Sequence, residues 1–438
     1  MAKETCAPIN VLVFPCASGI GQEIYAALCN RRDVRLYGMN SGKKDENVGG
    51  VLYEKYIRCE TLMEDGDFIL TISKICKEQR IDAIFPAYDD AQLLLKSNEK
   101  TIGVKVLTSS LDTTKLCRSK LKTYAKLKGV VRVPKVFTFT EASNLLPVFA
   151  KPDCGEGSKG CRVVHTANQL EEARIDGSIL CELLTGDEYT VDCFTDSSGI
   201  LLFAGARKRA LTRAGLSILT VTVTENEMKS LVREMAESVN VAIGFTGAWF
   251  FQFKLSSDGE PALLEVAPRI AGAMGLYRQL GINFPLLTVY AHFDRPVSLK
   301  VREVSIKMAK IYENSVCANF RFEELFVDLD DTLITSGKVN TAVLSMIYES
   351  RDLNKKIHLI TRHARDVRKT LDEFAISHNL FDSIIHISDE NVRKSSFLPT
   401  DRQIVFMDDS FAERQDCLDN VFACDVDATP FVRSAAKN

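Results

Sequence analysis

Apolar and polar positions switch repeatedly between two periods over the first hundred residues. "NVLVF" (residues 10–14) is strand-like, apolar from Val11 to Phe14; after a small-residue turn comes "GQEIYAALCNR", where Ile24, Ala27 and Leu28 share one helical face. "VRLYGMN" reads as a second strand, "IDAIFPAYDDAQLLLKS" as a strand and a helix, and "GVKVLTS" as a fourth strand. Strands alternating with helices predict a three-layer α/β domain over residues 1–110. The spacing then predicts one helix in "TTKLCRSKLKTYAKLKG", closed by Gly129, before "VRVPKVFTF".

From Val148 to about Val223 the pattern changes to hairpins: "VFAKP", "GCRVVH", "SILCELL", "EYTVDCFTD", "GILLFAGAR" and "LSILTVTV". "ENEMKSLVREMAESVNV" has helical spacing, and "GAWFFQFKL" with "PALLEVA" predicts a hairpin turning at Ser257–Gly259. A fresh apolar strand begins in "FRFEELFVDLDDTLITS", so a second domain is expected over residues 111–318 and a small α/β domain over 319–438.

Composition narrows the class. Of 438 residues, 46% are apolar and 26% charged, with a net charge of -3; this is an ordinary globular chain with no electrostatic reason to bind nucleic acid or an anionic membrane. No apolar run reaches the 18 residues or so of a membrane span, and the short N-terminal run, interrupted by Pro15, is a poor signal peptide. Thirteen cysteines without a C-x-x-C pair point to reduced thiols and a cytoplasmic chain. The six histidines show no ligand spacing.

Three stretches carry candidate chemistry. "PCASGIGQEI" has only Gly19 and Gly21, and its second strand ends at Asn40 where a dinucleotide site wants an acid; a turn packing a helix on a strand is the simpler reading. "KPDCGEGSKGCRVV" contains G-x-G-x-x-G but runs into a strand, which excludes the dinucleotide context, and Cys161 excludes a P-loop. A glycine-rich hairpin loop after Lys151 can instead lie over nucleotide phosphates, or be a plain surface hairpin; with no downstream catalytic-loop Asp and Asn and no D-F-G, a kinase is excluded. "LLEVAPRIAG" places Glu265 and Arg269 at a strand end, either as a metal and phosphate site or as an ion pair.

Taken in order, these segments resemble the ATP-grasp superfamily, in the branch of the carbamoyl-phosphate synthetase large chain and the carboxylate–amine ligases, over roughly residues 10–315. The resemblance implies a Rossmann-like domain preceding an ATP-grasp domain whose lid lobe spans about 148–185. It implies that ATP is held by Lys120, Lys151, Gly157 and Ser158, that Glu182 and Leu184 begin the adenine-holding segment, and that Glu188 reaches the ribose. Arg207, in "GARKRALTRAG", would face phosphate or acceptor; Gln252 and Glu265 would hold Mg²⁺, with Mn²⁺ an alternative, and Arg269 would steady the transferred phosphoryl group. Members join a small-molecule carboxylate to an amine through an acylphosphate. One departure stands out: where the family carries Asn, two residues after the Glu, this chain has Ala267, and a methyl group cannot coordinate a metal.

"ELFVDLDDTLITS" sets Asp328, Asp330 and Thr332 after an apolar strand, "KIHLITRH" ends a strand at Thr361, Lys394 follows, and "QIVFMDDSFAER" ends in Asp408 and Asp409. These residues resemble the haloacid dehalogenase (HAD) superfamily. The resemblance implies an aspartyl-phosphate on Asp328, acid–base work by Asp330, phosphate held by Thr361 and Lys394, and Mg²⁺ bound by the carboxylates of Asp328, Asp330, Asp408 and Asp409, with Glu413 on a metal-bound water. Only 28 residues separate Thr332 from Thr361, and 32 separate Thr361 from Lys394, gaps too short for the cap domain of many relatives, which predicts an open, capless site; the resemblance implies a Rossmannoid domain acting on a phosphate ester.

The combined expectation is a bifunctional enzyme, ligase and phosphatase. Two alternatives stand beside it: a phosphatase whose ATP-grasp domain binds ligand with weak turnover, and a nucleotide-sensing protein with both sites silent.

Overall fold

The five strands of the N-terminal sheet are β1 (Ile9–Phe14), β2 (Val34–Asn40), β3 (Tyr56–Arg58), β4 (Ala83–Pro86) and β5 (Lys105–Val106), parallel and in the order β3-β2-β1-β4-β5 in a computed structural model. It describes the chain apart from residues 1–6, 156, 158, 214–215, 301–303, 311–315, 317, 390 and 438, and apart from the side chain of Leu216. The helix Gly19–Leu28 is capped by Ser18, whose Oγ accepts from Gly21 N at 2.9 Å, and it buries Ile24, Ala27 and Leu28 as the spacing predicts. A Cβ on Gly21 would lie 2.4 Å from the Cys16 carbonyl oxygen, so this glycine serves close helix-on-strand packing.

Two expectations change here. Strand β3, which hydrophobic periodicity does not predict, is a three-residue edge strand too short to show alternation. The single helix expected from Thr113 is two helices, Leu111–Arg118 and Lys120–Leu127. Ser119 is extended between them, and its Oγ caps the second by accepting from Lys122 N at 3.2 Å.

A four-stranded antiparallel sheet follows, from β6 (Val136–Phe137), β7 (Val148–Lys151), β8 (Arg162–Val164) and β9 (Ile179–Cys181), in the order β6-β9-β7-β8. The glycine-rich stretch after Lys151 does join two strands, β7 and β8. The larger antiparallel sheet holds β10 (Glu188–Thr195), β11 (Leu201–Arg213), β12 (Leu216–Thr222), β13 (Gly247–Leu255), β14 (Pro261–Ala267) and β15 (Lys307–Ala309), in the order β14-β13-β10-β11-β12-β15. Alternation sends Val191, Trp249, Phe251 and Phe253 to one face, where they pack with Val232, Ala236 and Val239 of the helix Asn226–Ile243. Each such fully buried side chain is worth about 1.5–3 kcal/mol, which fixes the register and hence what stands on the opposite face.

Residues 1–312 form one compact unit and 313–438 another. The second has β16 (Glu324–Val327), β17 (Ile334–Thr335), β18 (Lys338–Val339), β19 (Lys356–Thr361), β20 (Ser383–His386), β21 (Ile404–Met407) and β22 (Val421–Cys424). Five of these make a parallel sheet in the order β20-β19-β16-β21-β22, with β16 central, while β17 and β18 form a small hairpin. Between Thr332 and Lys394 the described residues hold that hairpin, the helices Thr341–Asp352 and Val367–Glu373, a 3₁₀ turn His378–Leu380 and strands of the sheet, with no inserted domain. Among the described residues no helix is long and apolar enough to cross a membrane.

Candidate functional sites

The polar face of the large sheet follows from its register. Glu265 lies opposite Gln252, Gln252 opposite Thr190, and Thr190 opposite Arg207, a lateral row roughly 14 Å long at the usual strand spacing. Two positions along, on the same face, Glu188 meets Arg209; in the other direction lie Ala267, Phe250 and Asp192.

Glu265 has neither an ion pair nor a hydrogen bond among the described residues. Lys151 closes β7 over the same cavity, 5% exposed; its Nζ donates to Tyr124 Oη at 2.6 Å, and that hydroxyl donates to the Leu264 carbonyl at 2.6 Å. Burial, reinforced by the charge of Lys120, holds the Lys151 ammonium below its ordinary pKa. Lys120 is the first residue of its helix, and its Nζ donates to the Gly155 and Asp153 carbonyls at 3.3 and 3.4 Å, fastening the glycine-rich loop. Asp153 in turn accepts from Ser119 Oγ at 2.7 Å and Leu121 N at 2.8 Å. Gly157 lines the cavity, and Ser158 lies outside the described residues.

Arg269 does not pair with Glu265. Its guanidinium forks onto Asp89, with Nη2 3.0 Å from Oδ2 and Nε on Oδ1, and it sits 5.1 Å above the Phe250 ring. The alternative of a Glu265–Arg269 ion pair is therefore corrected: the partner is an acid at the start of the helix Asp89–Ser97, which packs beside the strand end. Arg207 is forked on buried Asp192, Nε to Oδ2 at 2.8 Å and Nη2 to Oδ1 at 3.3 Å; burial still holds Asp192 above its ordinary pKa against that guanidinium. Arg209 contacts Glu188 and donates from Nη1 to Gln252 Oε1 at 3.2 Å.

Lys120, Lys151, Gly157, Glu188, Arg207, Gln252, Glu265 and Arg269 thus share one cavity. Glu182 and Leu184 are not among its lining residues: Glu182 accepts from Arg132 Nη2 at 2.8 Å and Lys135 N at 3.3 Å, and Leu184 is buried. The cavity also holds Thr190 Oγ1 and Ser217 Oγ, buried hydroxyls with no hydrogen-bond partner among the described residues. A free carboxylate, two orphaned hydroxyls and converging lysines suit a polyanion with a hard cation. Tyr124 gave no sequence signal, whereas the acid pair in "FPAYDD", just past a strand, could have marked Asp89.

In the second unit the motif residues meet at the carboxyl ends of β16, β19 and β21, where parallel sheets place ligands. Among the described residues Asp328, Asp408 and Asp409 each bring a carboxylate oxygen within 4.8 Å of the others. Lys394 Nζ lies 2.7 Å from Asp328 Oδ1 and 2.6 Å from Asp408 Oδ2. Three carboxylates against one ammonium leave a negative excess that a divalent cation would satisfy. Burial, helped by Asp408 and opposed by Lys394, pushes Asp328 up to about 7, and burial with Asp408 also raises Asp409. Thr361 is fully buried at the end of β19, and its Oγ1 accepts from His363 N at 3.1 Å.

Asp330 stands apart from the three-carboxylate group. Both its oxygens lie 2.9 Å from His363 Nδ1, while His363 Nε2 is 2.8 Å from Thr370 Oγ1. Glu413 is already occupied, by Arg362 and by Lys394 N at 3.0 Å, and Arg362 holds it below its usual pKa despite burial. His363 and Arg362 follow Thr361 directly in "TRH", which was the available signal for both.

The raised Asp328 pKa has a stability consequence. A folded value near 7 against an unfolded value of about 3.9 means the folded state holds extra protons, so stability falls as pH rises from about 4 through 7. Melts of metal-free protein in chelator should therefore show a lower transition at pH 8 than at pH 6. Asp328→Asn should raise the pH 8 transition by a few degrees, and Mg²⁺ should do the same for the unsubstituted protein.

Residues 175–315 match the family model described as "ATP-grasp in the biosynthetic pathway with Ter operon". The biotin carboxylase domain of Hydrogenobacter thermophilus 2-oxoglutarate carboxylase, solved with MgADP and bicarbonate, is 15% identical, with TM-score 0.58 over 67% of this chain and 72% of that one. N5-carboxyaminoimidazole synthetase from Staphylococcus aureus, complexed with ADP, is 12% identical, with TM-score 0.58 over 69% and 82%. L-amino acid ligase from Bacillus licheniformis is 20% identical, with TM-score 0.53 over 66% and 75%. No curated protein matches the chain in sequence. About two-thirds of the chain has an ATP-grasp-like fold.

Proposed function

We propose that the first unit is an ATP- and Mg²⁺-dependent ligase that activates a small-molecule carboxylate as an acylphosphate for attack by an amine. The observation that carries this reading is the row Glu265, Gln252, Thr190 and Arg207 facing Lys151 across one cavity. Mg²⁺ bound at Glu265 supplies charge neutralisation of the polyphosphate. Lys151, desolvated and aimed by Tyr124, binds phosphate oxygen, and the loop tethered by Lys120 excludes water above it. Arg269 must exchange Asp89 for the transferred phosphoryl group, which its fork fits equally well.

Lys151→Ala should weaken binding of an ATP analogue by about 10-fold or more, and Tyr124→Phe by less, since it removes only the aiming hydroxyl. Equilibrium dialysis checks both. Unchanged affinity in Lys151→Ala would remove the phosphate role.

We further propose that the second unit is a Mg²⁺-dependent HAD-type phosphohydrolase. Asp328 attacks a phosphate ester to form an aspartyl-phosphate, and Asp330, oriented by His363, handles the leaving-group proton and then the water. Lys394 and Thr361 hold the phosphoryl oxygens, and Asp328, Asp408 and Asp409 hold the metal. The meeting of these residues at three adjacent strand ends supports this assignment. Ala267 favours a second reading of the first unit, binding of nucleotide with weak turnover; ADP release measured over a panel of acids and amines separates the two.

A further inference from the structure

Lys310 lines the same cavity and has no part in the nucleotide reading. Its strand, β15, is the edge of the large sheet, and register places it. Met308 lies opposite Thr220, and Thr220 opposite Arg209. Lys310, two residues past Met308, therefore takes the face that carries Arg209 and Arg207. On β12 a register shift leaves Ile218 without a partner on β11 and pairs Ser217 with Thr212. This bulge turns Ser217 onto the cavity face too, while the Ile218 carbonyl accepts from Lys310 N at 2.8 Å.

The charges around Lys310 leave it unmatched. Arg207 forks onto Asp192, and Glu23, on the helix Gly19–Leu28, accepts from Arg278 Nε at 3.0 Å and Nη2 at 3.3 Å. The half-buried Lys310 side chain has neither an ion pair nor a hydrogen bond among the described residues, and Ser217 Oγ is equally without a partner. Burial and the charge of Arg207, opposed by Glu23, hold the Lys310 ammonium below its ordinary pKa. Space is left beside it: Ala271, Gly272 and Ala273 line the cavity with nothing larger than a methyl group, and a Cβ on Gly272 would lie 3.4 Å from Lys310 Nζ. Gly272 is three residues from Arg269, at most about 11 Å of extended chain.

We propose that Lys310, with Ser217, binds a spectator carboxylate of the substrates, one that ATP does not activate, carried by the acid or by the amine. The proposal rests on the ligase reading above and narrows its substrate class. An ammonium and a hydroxyl, both unpartnered on one face, are satisfied by an anion. One point charge with one neutral donor suits the two oxygens of a monoanionic carboxylate, whereas a phosphate dianion would call for forked guanidinium donors, and Arg207 is already closed on Asp192.

The test reads the lysine itself. Full-length protein with Mg²⁺ and AMP-PNP is treated with N-hydroxysulfosuccinimide acetate, and acetylation of Lys310 is quantified by mass spectrometry relative to exposed Lys74. The probes, at tens of millimolar, are glutarate against butyrate for the acid, and glycine against ethylamine for the amine. Glutarate or glycine should slow acetylation of Lys310 by about fivefold or more, and the one that does so identifies which substrate carries the group. In the ADP assay, Lys310→Met should raise KM for that substrate about tenfold or more with a smaller change in kcat, and Lys310→Arg should restore most of it. Equal protection by butyrate or ethylamine overturns the proposal, as does an unchanged KM in Lys310→Met. Equilibrium dialysis of AMP-PNP on the same preparation tests the reading beneath. Absence of AMP-PNP binding removes the ligase reading and this proposal with it; AMP-PNP binding without protection of Lys310 by glutarate or glycine overturns the proposal alone.

Discussion

Replacing Glu265 with alanine should lower carboxylate-dependent ADP release by about 10²–10³-fold, the usual cost of removing a charge-stabilising group from a preorganised site. The same change should leave stability within about 0.5 kcal/mol, because Glu265 has no ion pair or hydrogen bond among the described residues and its loss orphans nothing buried. That combination separates a working carboxylate from a structural one. Thermal melts and a coupled ADP assay on the same preparation check it. A large loss of stability would assign Glu265 to the fold, and unchanged ADP release would remove it from the chemistry.

Asp328→Asn should reduce hydrolysis of p-nitrophenyl phosphate by at least about 10³-fold, since an amide cannot act as the phosphoryl acceptor. Lys394 keeps Asp408 at 2.6 Å, so the substituted site retains an ion pair and its burial. Loss of turnover together with the raised pH 8 melting transition predicted above would show that one carboxylate both costs stability and carries the reaction. Retained turnover would place the nucleophile elsewhere.

Periodicity was enough for the long elements and failed for the short ones. The hairpin of β13 and β14 was readable because nine and seven residues alternate, or run apolar, between turn residues. Strands β3 and β15 have three residues each and sit at sheet edges, where pairing rather than sequence pattern defines them. The break at Ser119 is a side-chain cap competing with helix continuation, a contest decided partly by Asp153, 34 residues away. Within the sites, residues borne on strand ends were legible because two-residue alternation fixes which face they take. Their partners were not: Asp89 meets Arg269 across 180 residues, and Arg209 meets Gln252 across 43. Such pairings are set by packing of elements, so a single sequence leaves them open. Asp330 shows the same limit in the second unit, where spacing grouped it with three other aspartates and His363 draws it aside.

Acyl-phosphate chemistry on the polar face of the large sheet is tested most directly by supplying ¹⁸O-labelled carboxylic acids with ATP, Mg²⁺ and amine acceptors to the Asp328→Asn protein, which lacks the nucleophile proposed for the second unit. The expected products are ADP and phosphate carrying one ¹⁸O from the acid, both lost in Glu265→Ala. Release of AMP and pyrophosphate, or phosphate free of label, would contradict it.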